Sequence, residues 1–164
     1  MQSLLFERVG SPLRWAIAVA ALVSAGAHVP VTAPHLREAP YMGVLFIVLT
    51  VACVVLAVAA LVRDTAAVYA LSALTCGLAA LGYAATRLVA FPMLADDVGN
   101  WWEPLGVAAT VSEAVVVCVA LLALRDARRT PREAGTPAPF SGPNSGEHPV
   151  ARPGDYSDRR ISQW

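Results

Sequence analysis

The chain has 164 residues, of which 57% are hydrophobic and only 15% charged, against roughly 25% charge in a typical soluble domain. Twelve basic and twelve acidic residues cancel to a formal net charge of zero, and the mean hydropathy is +0.57. These figures exclude an ordinary soluble domain, a wholly disordered chain and a basic nucleic-acid binder, and they point to an integral membrane protein.

Four long apolar stretches follow in order. The first covers 15–33, just after Arg8 and Arg14. The second, 41–62, contains no charge. The third, 65–91, contains Arg87, and the fourth, 104–124, contains Glu113. A bilayer core of about 30 Å takes about 20 helical residues, so each stretch is long enough to cross. Sheet is not expected, because lipid gives backbone groups no partners outside a helix or a closed barrel. The expected fold is therefore all-α: an antiparallel bundle of four transmembrane helices within 1–125.

Prolines mark the expected ends. Pro34 and Pro40 bracket a first loop, Pro92 stops the third helix, and Pro104 starts the fourth, where a missing N–H is harmless. Pro30 should kink or fray the last turn of the first helix. Trp15, Tyr41, Trp101 and Trp102 fall near span ends, as an aromatic belt requires. From 126 to 164 Pro, Gly, Ser and charges dominate, which reads as a disordered tail.

Every cation is an arginine, a usage that points to a GC-rich bacterial genome. Arg8, Arg14, Arg63, Arg125, Arg128, Arg129 and Arg132 fall on one side of a four-span chain, and Arg37 on the other. The positive-inside rule then puts both termini in the cytoplasm of a plasma membrane. A second reading makes residues 1–27 a signal peptide with a site after Ala25-Gly26-Ala27, leaving three spans. Continuation of the apolar run past that site favours the uncleaved anchor.

Small and polar residues mark where helices meet in lipid. Ala16, Ala20, Ser24 and His28 form one such stripe, and Gly43, Phe46, Thr50, Cys53 and Ala57 a second. Ser72, Cys76, Ala80, Tyr83 and Arg87 form a third, and Gly106, Ala109, Thr110, Glu113 and Ala120 a fourth. Cys53, Cys76 and Cys118 read as small buried hydrophobes, with no CxxC among them.

Three ionisable groups lie within the spans. By helical rise, His28 sits about 8 Å, Arg87 about 6 Å and Glu113 about 13 Å below the same surface. Charges there face inward and pair, so an Arg87–Glu113 ion pair across the third and fourth helices is expected. A second expectation gathers His28, His35, Glu38, Asp97 and Glu113 around one divalent transition metal, since mixed imidazole and carboxylate ligands suit Zn, Mn, Fe or Cu. The spacing matches neither HExxH nor an EF-hand.

Ala27-His28-Val29-Pro30, the run from His35 to Glu38 with Pro40-Tyr41-Met42-Gly43, and Asp97 to Trp101 with Pro104-Leu105-Gly106 and Glu113 carry a resemblance. In these residues the chain resembles uncharacterised small four-helix integral membrane proteins of GC-rich bacteria. The resemblance spans about the first 125 residues and implies a fold without an activity.

No nucleotide-binding, GxSxG or CxxC motif is present, so an enzyme is not expected. The leading functional expectation is an accessory, assembly or binding subunit in the bilayer, partnered by another membrane protein or by itself. Alternatives are a metal-handling protein built on the His/carboxylate set, and a small proton- or cation-coupled transporter using Glu113.

Overall fold

A computed structural model describes residues 8–133, with side chains through Arg129. The described chain is all-helical: α1 (Arg14–Glu38), α2 (Pro40–Val62), α3 (Ala66–Leu88) and α4 (Pro104–Glu133), with one 3-10 turn at Ala95–Asp97. All four helices are long and apolar enough to span a membrane. They are compatible with a multi-pass membrane protein.

Their outer faces make the same point. On α2, Val44, Val48, Val51, Val55, Val58 and Val62 are all more than half exposed. The interior instead holds Ser24, His28, Asp64, Ser72, Arg87 and Glu113. Large apolar side chains outside and polar ones inside suit a hydrocarbon solvent rather than water.

The helices run up and down. α1 packs on both α2 and α4, and α4 also packs on α3. The α2–α3 seam is the loosest between neighbours. The α1–α2 hairpin is tight because small residues permit it. A Cβ on Gly43 would meet the backbone nitrogen of Leu36 at 2.6 Å, so only glycine fits there.

The expected stripes are largely the buried ones. Ala20, Ser24, His28, Gly43, Cys53, Ala57, Ser72, Cys76, Arg87, Ala109, Glu113 and Ala120 are buried, whereas Ala16 faces outward; Cys118, expected with Cys53 and Cys76 to be buried, is exposed on the outer face of α4. The core is dense towards one end, where Ile17, Ala21, Ala57, Ala60, Tyr69, Val116 and Ala120 meet.

That end is locked by Asp64 in the α2–α3 turn. Asp64 is 1% exposed and has φ +47°, a left-handed conformation that Asp tolerates better than most residues. Its carboxylate accepts a hydrogen bond from the Tyr69 hydroxyl and one from Arg14 Nη1 at 3.3 Å. Its carbonyl accepts from Val9 N at 2.7 Å, and Arg8 Nη2 donates to Val62 O at 3.2 Å. The segment before α1 is thereby tied across the turn. Thr65 then caps α3, its hydroxyl accepting from Val68 N.

Two expected boundaries move. α1 does not stop at 33 but runs through Pro30 and Pro34 to Glu38, leaving Ala39 alone as the connection to α2. Proline's φ is compatible with a helix, and α1 carries both prolines without ending, at the cost of the missing N–H and of crowding at the i−4 carbonyl. Side chains along this stretch add donors to the carbonyls: Thr32 Oγ1 donates to His28 O at 2.8 Å, and His35 Nδ1 to Val31 O at 2.8 Å. At the other boundary, α4 continues past 125 to Glu133, over a segment with three arginines and a glutamate, good helix formers. The remainder of the expected tail, 134–164, and any signal-peptide n-region in 1–7 lie outside the described residues.

Four substitutions test this packing. Gly43→Ala should lower the thermal midpoint in mild detergent by several degrees, while Gly82→Ala, whose new Cβ meets nothing within 4 Å, should leave it within a degree or two. Asp64→Ala should cost about 1–3 kcal/mol by stranding the buried Tyr69 hydroxyl, and Asp64→Asn, which keeps an acceptor, should cost less. Exposure of the buried Cys53 and Cys76 thiols to a reactive dye reports unfolding; equal midpoints for all four variants would refute the assignment.

Candidate functional site

Away from the Asp64 end the bundle opens. A cavity of about 660 Å³ lies between all four helices, lined by residues of α1 from Ala27 to His35, α2 from Tyr41 to Ala52, α3 from Thr75 to Arg87 and α4 from Leu105 to Glu113. That volume is in the range of small-molecule and cofactor sites. Its walls are mostly Leu, Val, Ala, Met and Phe.

The cavity is roofed at the bundle end. Residues 89–103 form the roof, and three side chains tie it down. Tyr41 Oη donates to Pro92 O at 2.7 Å, and Tyr83 Oη donates to Trp101 O at 2.9 Å. Arg87 Nη1 reaches Asp97 Oδ1 at 2.7 Å and Asp97 O at 3.1 Å. Gly99 N closes the set by donating to Arg87 O at 2.9 Å. Glu103 caps α4, accepting from Leu105 N at 3.1 Å and from Gly106 N. The open side is lateral: Leu45, Val48 and Leu78 line the cavity and are each more than half exposed at the α2–α3 seam.

The closed end of the cavity is polar. Glu113 on α4 is 1% exposed and His28 on α1 is 6% exposed. Ser24 Oγ donates to Glu113 Oε1 at 3.0 Å, and His28 Nε2 lies 3.7 Å from the same oxygen. The other ring nitrogen, His28 Nδ1, is 2.7 Å from Ser24 O. A carbonyl only accepts, so Nδ1 carries a proton and Nε2 is the atom turned to Glu113. Cys53 Sγ lies 4.0 Å from Ser24 Oγ, and Phe46 sits between the two imidazoles, 5.3 Å from the His28 ring and 4.9 Å from that of His35.

The expected Arg87–Glu113 ion pair is therefore not made. Arg87 points to the roof, where Asp97 neutralises it and the Tyr83 ring lies 4.6 Å beneath its guanidinium. Glu113 is instead held by α1. Residues 95–97 turn back onto α3 through a single 3-10 turn, which brings Asp97 to Arg87.

The expected metal set is dispersed as well. Among the described residues no three of His, Cys, Asp and Glu are grouped so as to hold a metal ion. Only His28 and Glu113 come together. Because α1 continues as helix to Glu38, His35 rises about 10 Å and Glu38 about 15 Å along it beyond His28. His35 donates to Val31 O, Glu38 is exposed at the helix end, and Asp97 is engaged by Arg87. Ser24, Asp64 and Phe46 are the residues whose roles the sequence did not show as functional; Ser24 and Phe46 were visible only as members of packing stripes.

The Arg87–Asp97 pair should control the roof. Arg87→Gln leaves Asp97 without its partner, and Asp97→Asn leaves a buried cation; stranding a buried charge costs about 3 kcal/mol. Chymotrypsin cleavage after Trp101 and Trp102 in detergent should then accelerate by at least tenfold. Unchanged cleavage rates in both variants would show that the pair does not hold the segment.

Comparison with protein-family models, curated proteins and solved structures finds no match to this chain.

Proposed function

We propose that the protein is a non-enzymatic binding subunit of the membrane, and that it holds a lipophilic molecule in the cavity between the four helices, entered at the α2–α3 seam. The observation that carries this reading is the cavity itself. It is predominantly apolar, roofed by residues 89–103 with Arg87, Asp97 and Glu103 at that end, open at the side to the lipid-facing surface, and carries His28 and Glu113 at its deep end. A ligand entering from the hydrocarbon phase meets no polar barrier at the α2–α3 seam. Deeper into the bundle, the side chains of Cys53, Ala57, Cys76 and Val116 fill the interior, so the cavity ends at the Glu113 level. We place it in a bacterial plasma membrane with both termini cytoplasmic, on the arginine distribution given above.

This reading favours binding over the other functional expectations. A metal-handling role lacks a grouped ligand set among the described residues. A transport role for Glu113 has its carboxylate at the blind end of a pocket, anchored by Ser24.

Photolabelling with an alkyl diazirine dissolved in phosphatidylcholine proteoliposomes tests the proposal. Peptide mapping should find label on inward residues such as Leu49, Ala79 and Ala109, besides the lipid-facing Leu74 and Leu81. Gly82→Phe, which projects a ring from a position with free space around its Cβ, should reduce inward labelling severalfold while leaving outer labelling unchanged. Label confined to outer faces in the unsubstituted protein would overturn the proposal.

A further inference from the structure

Resting on the binding role above, the geometry points to a ligand class: we infer that the deep end of the cavity receives a flat, uncharged ring bearing a hydroxyl group, a phenol or quinol head on an apolar tail. The argument begins with the protons. His28 Nδ1 is committed to Ser24 O and Ser24 Oγ to Glu113 Oε1, at 2.7 and 3.0 Å. His28 Nε2 and Glu113 Oε1 face each other at 3.7 Å, too far for a hydrogen bond. Two atoms at that separation can share one hydroxyl oxygen about 2.8 Å from each. A hydroxyl both donates and accepts, which is what an imidazole nitrogen beside a carboxyl group requires.

Thr110 adds an independent observation. It lines the same cavity one helical turn from Glu113, and its hydroxyl is buried without a hydrogen-bond partner among the described residues. Buried hydroxyls are normally satisfied, so this one has a donor to give. The head is uncharged because its site is. An imidazole beside a carboxylic acid and an imidazolium beside a carboxylate have the same total charge, zero. A charged head would leave a net charge in the membrane interior, which is costly.

The flat shape follows from the wall. Phe46 stands tilted at 55° to the His28 ring and edge-on, at 83°, to His35. Such a face favours offset or edge-to-face contact with another ring. The side of the cavity that leads to the exposed Leu45, Val48 and Leu78 at the seam is apolar and takes the tail.

The test uses the full chain in phosphatidylcholine proteoliposomes and two probes: a para-alkylphenol with a diazirine in its tail, and its methyl ether. The ether matches the ring and tail but cannot donate. In the unsubstituted protein the phenol should label the inward peptides roughly fivefold more than the ether, the ratio one good hydrogen bond produces. Thr110→Val breaks no bond within the protein and should lower that ratio two- to threefold, and Glu113→Leu should bring it close to one. Inward labelling by the ether in each variant reports that the bundle is still folded. Equal inward labelling by both probes, or a phenol preference that survives both substitutions, would overturn this inference and leave the binding role standing. Inward labelling by neither probe would overturn both.

Discussion

The close approach of α1 to its neighbours is the constraint on which the rest of the structure depends. Ala20, Ala21, Ser24 and Ala25 give α1 a face without bulk, Cys53, Ala57 and Ala60 give α2 a matching one, and Gly43 lets α2 meet Leu36 nearer the hairpin. In lipid no hydrophobic drive brings helices together, so contact must come from small side chains that let backbones meet and from hydrogen bonds between them. The Ser24–Glu113 bond is such a link, joining α1 to α4 across 89 residues of chain. With α1 held against both α2 and α4, the α2–α3 seam is left as the slack side of the bundle.

That asymmetry divides the molecule along its length. At one end the Asp64 cluster draws in Arg14, Tyr69 and the chain before α1, and alanines fill the space between helices. At the other end Phe46, Tyr83 and Arg87 line the open space between the helices. A cavity results because large side chains there support the roof instead of filling the interior. The two ion pairs thus serve different ends: Arg14–Asp64 closes the tight end, and Arg87–Asp97 pins the roof over the open one.

The buried polar groups fall in line with this division. Asp64 and Arg87 have their charges met nearby and read as fasteners. His28, Glu113 and Thr110 are different. The first two face one another just beyond hydrogen-bond reach and the third has no partner, all against a single apolar cavity. Unmet hydrogen-bonding capacity in the interior of a membrane bundle is expensive, which makes this corner the place where a ligand contributes most.

Hydropathy and length alone determined the four helices, because a span must be long, apolar and internally hydrogen-bonded whatever it packs against. The packing stripes were legible for the same kind of reason: small residues at helical spacing have few uses in lipid besides contact. Partner choice was not legible. Rise along a helix gave the depths of Arg87 and Glu113, but not their rotation about the bundle or the path of the roof, so the two were matched by depth alone. In the structure Asp97 folds back to take Arg87, and Ser24 on the facing helix takes Glu113. The prolines misled in a similar way. Pro30 and Pro34 look like breaks in one dimension, yet α1 continues through them and lifts His35 and Glu38 away from His28. Local chemistry is written along the chain; which groups meet depends on how far each helix continues and which way it turns, and only the tertiary structure decides that.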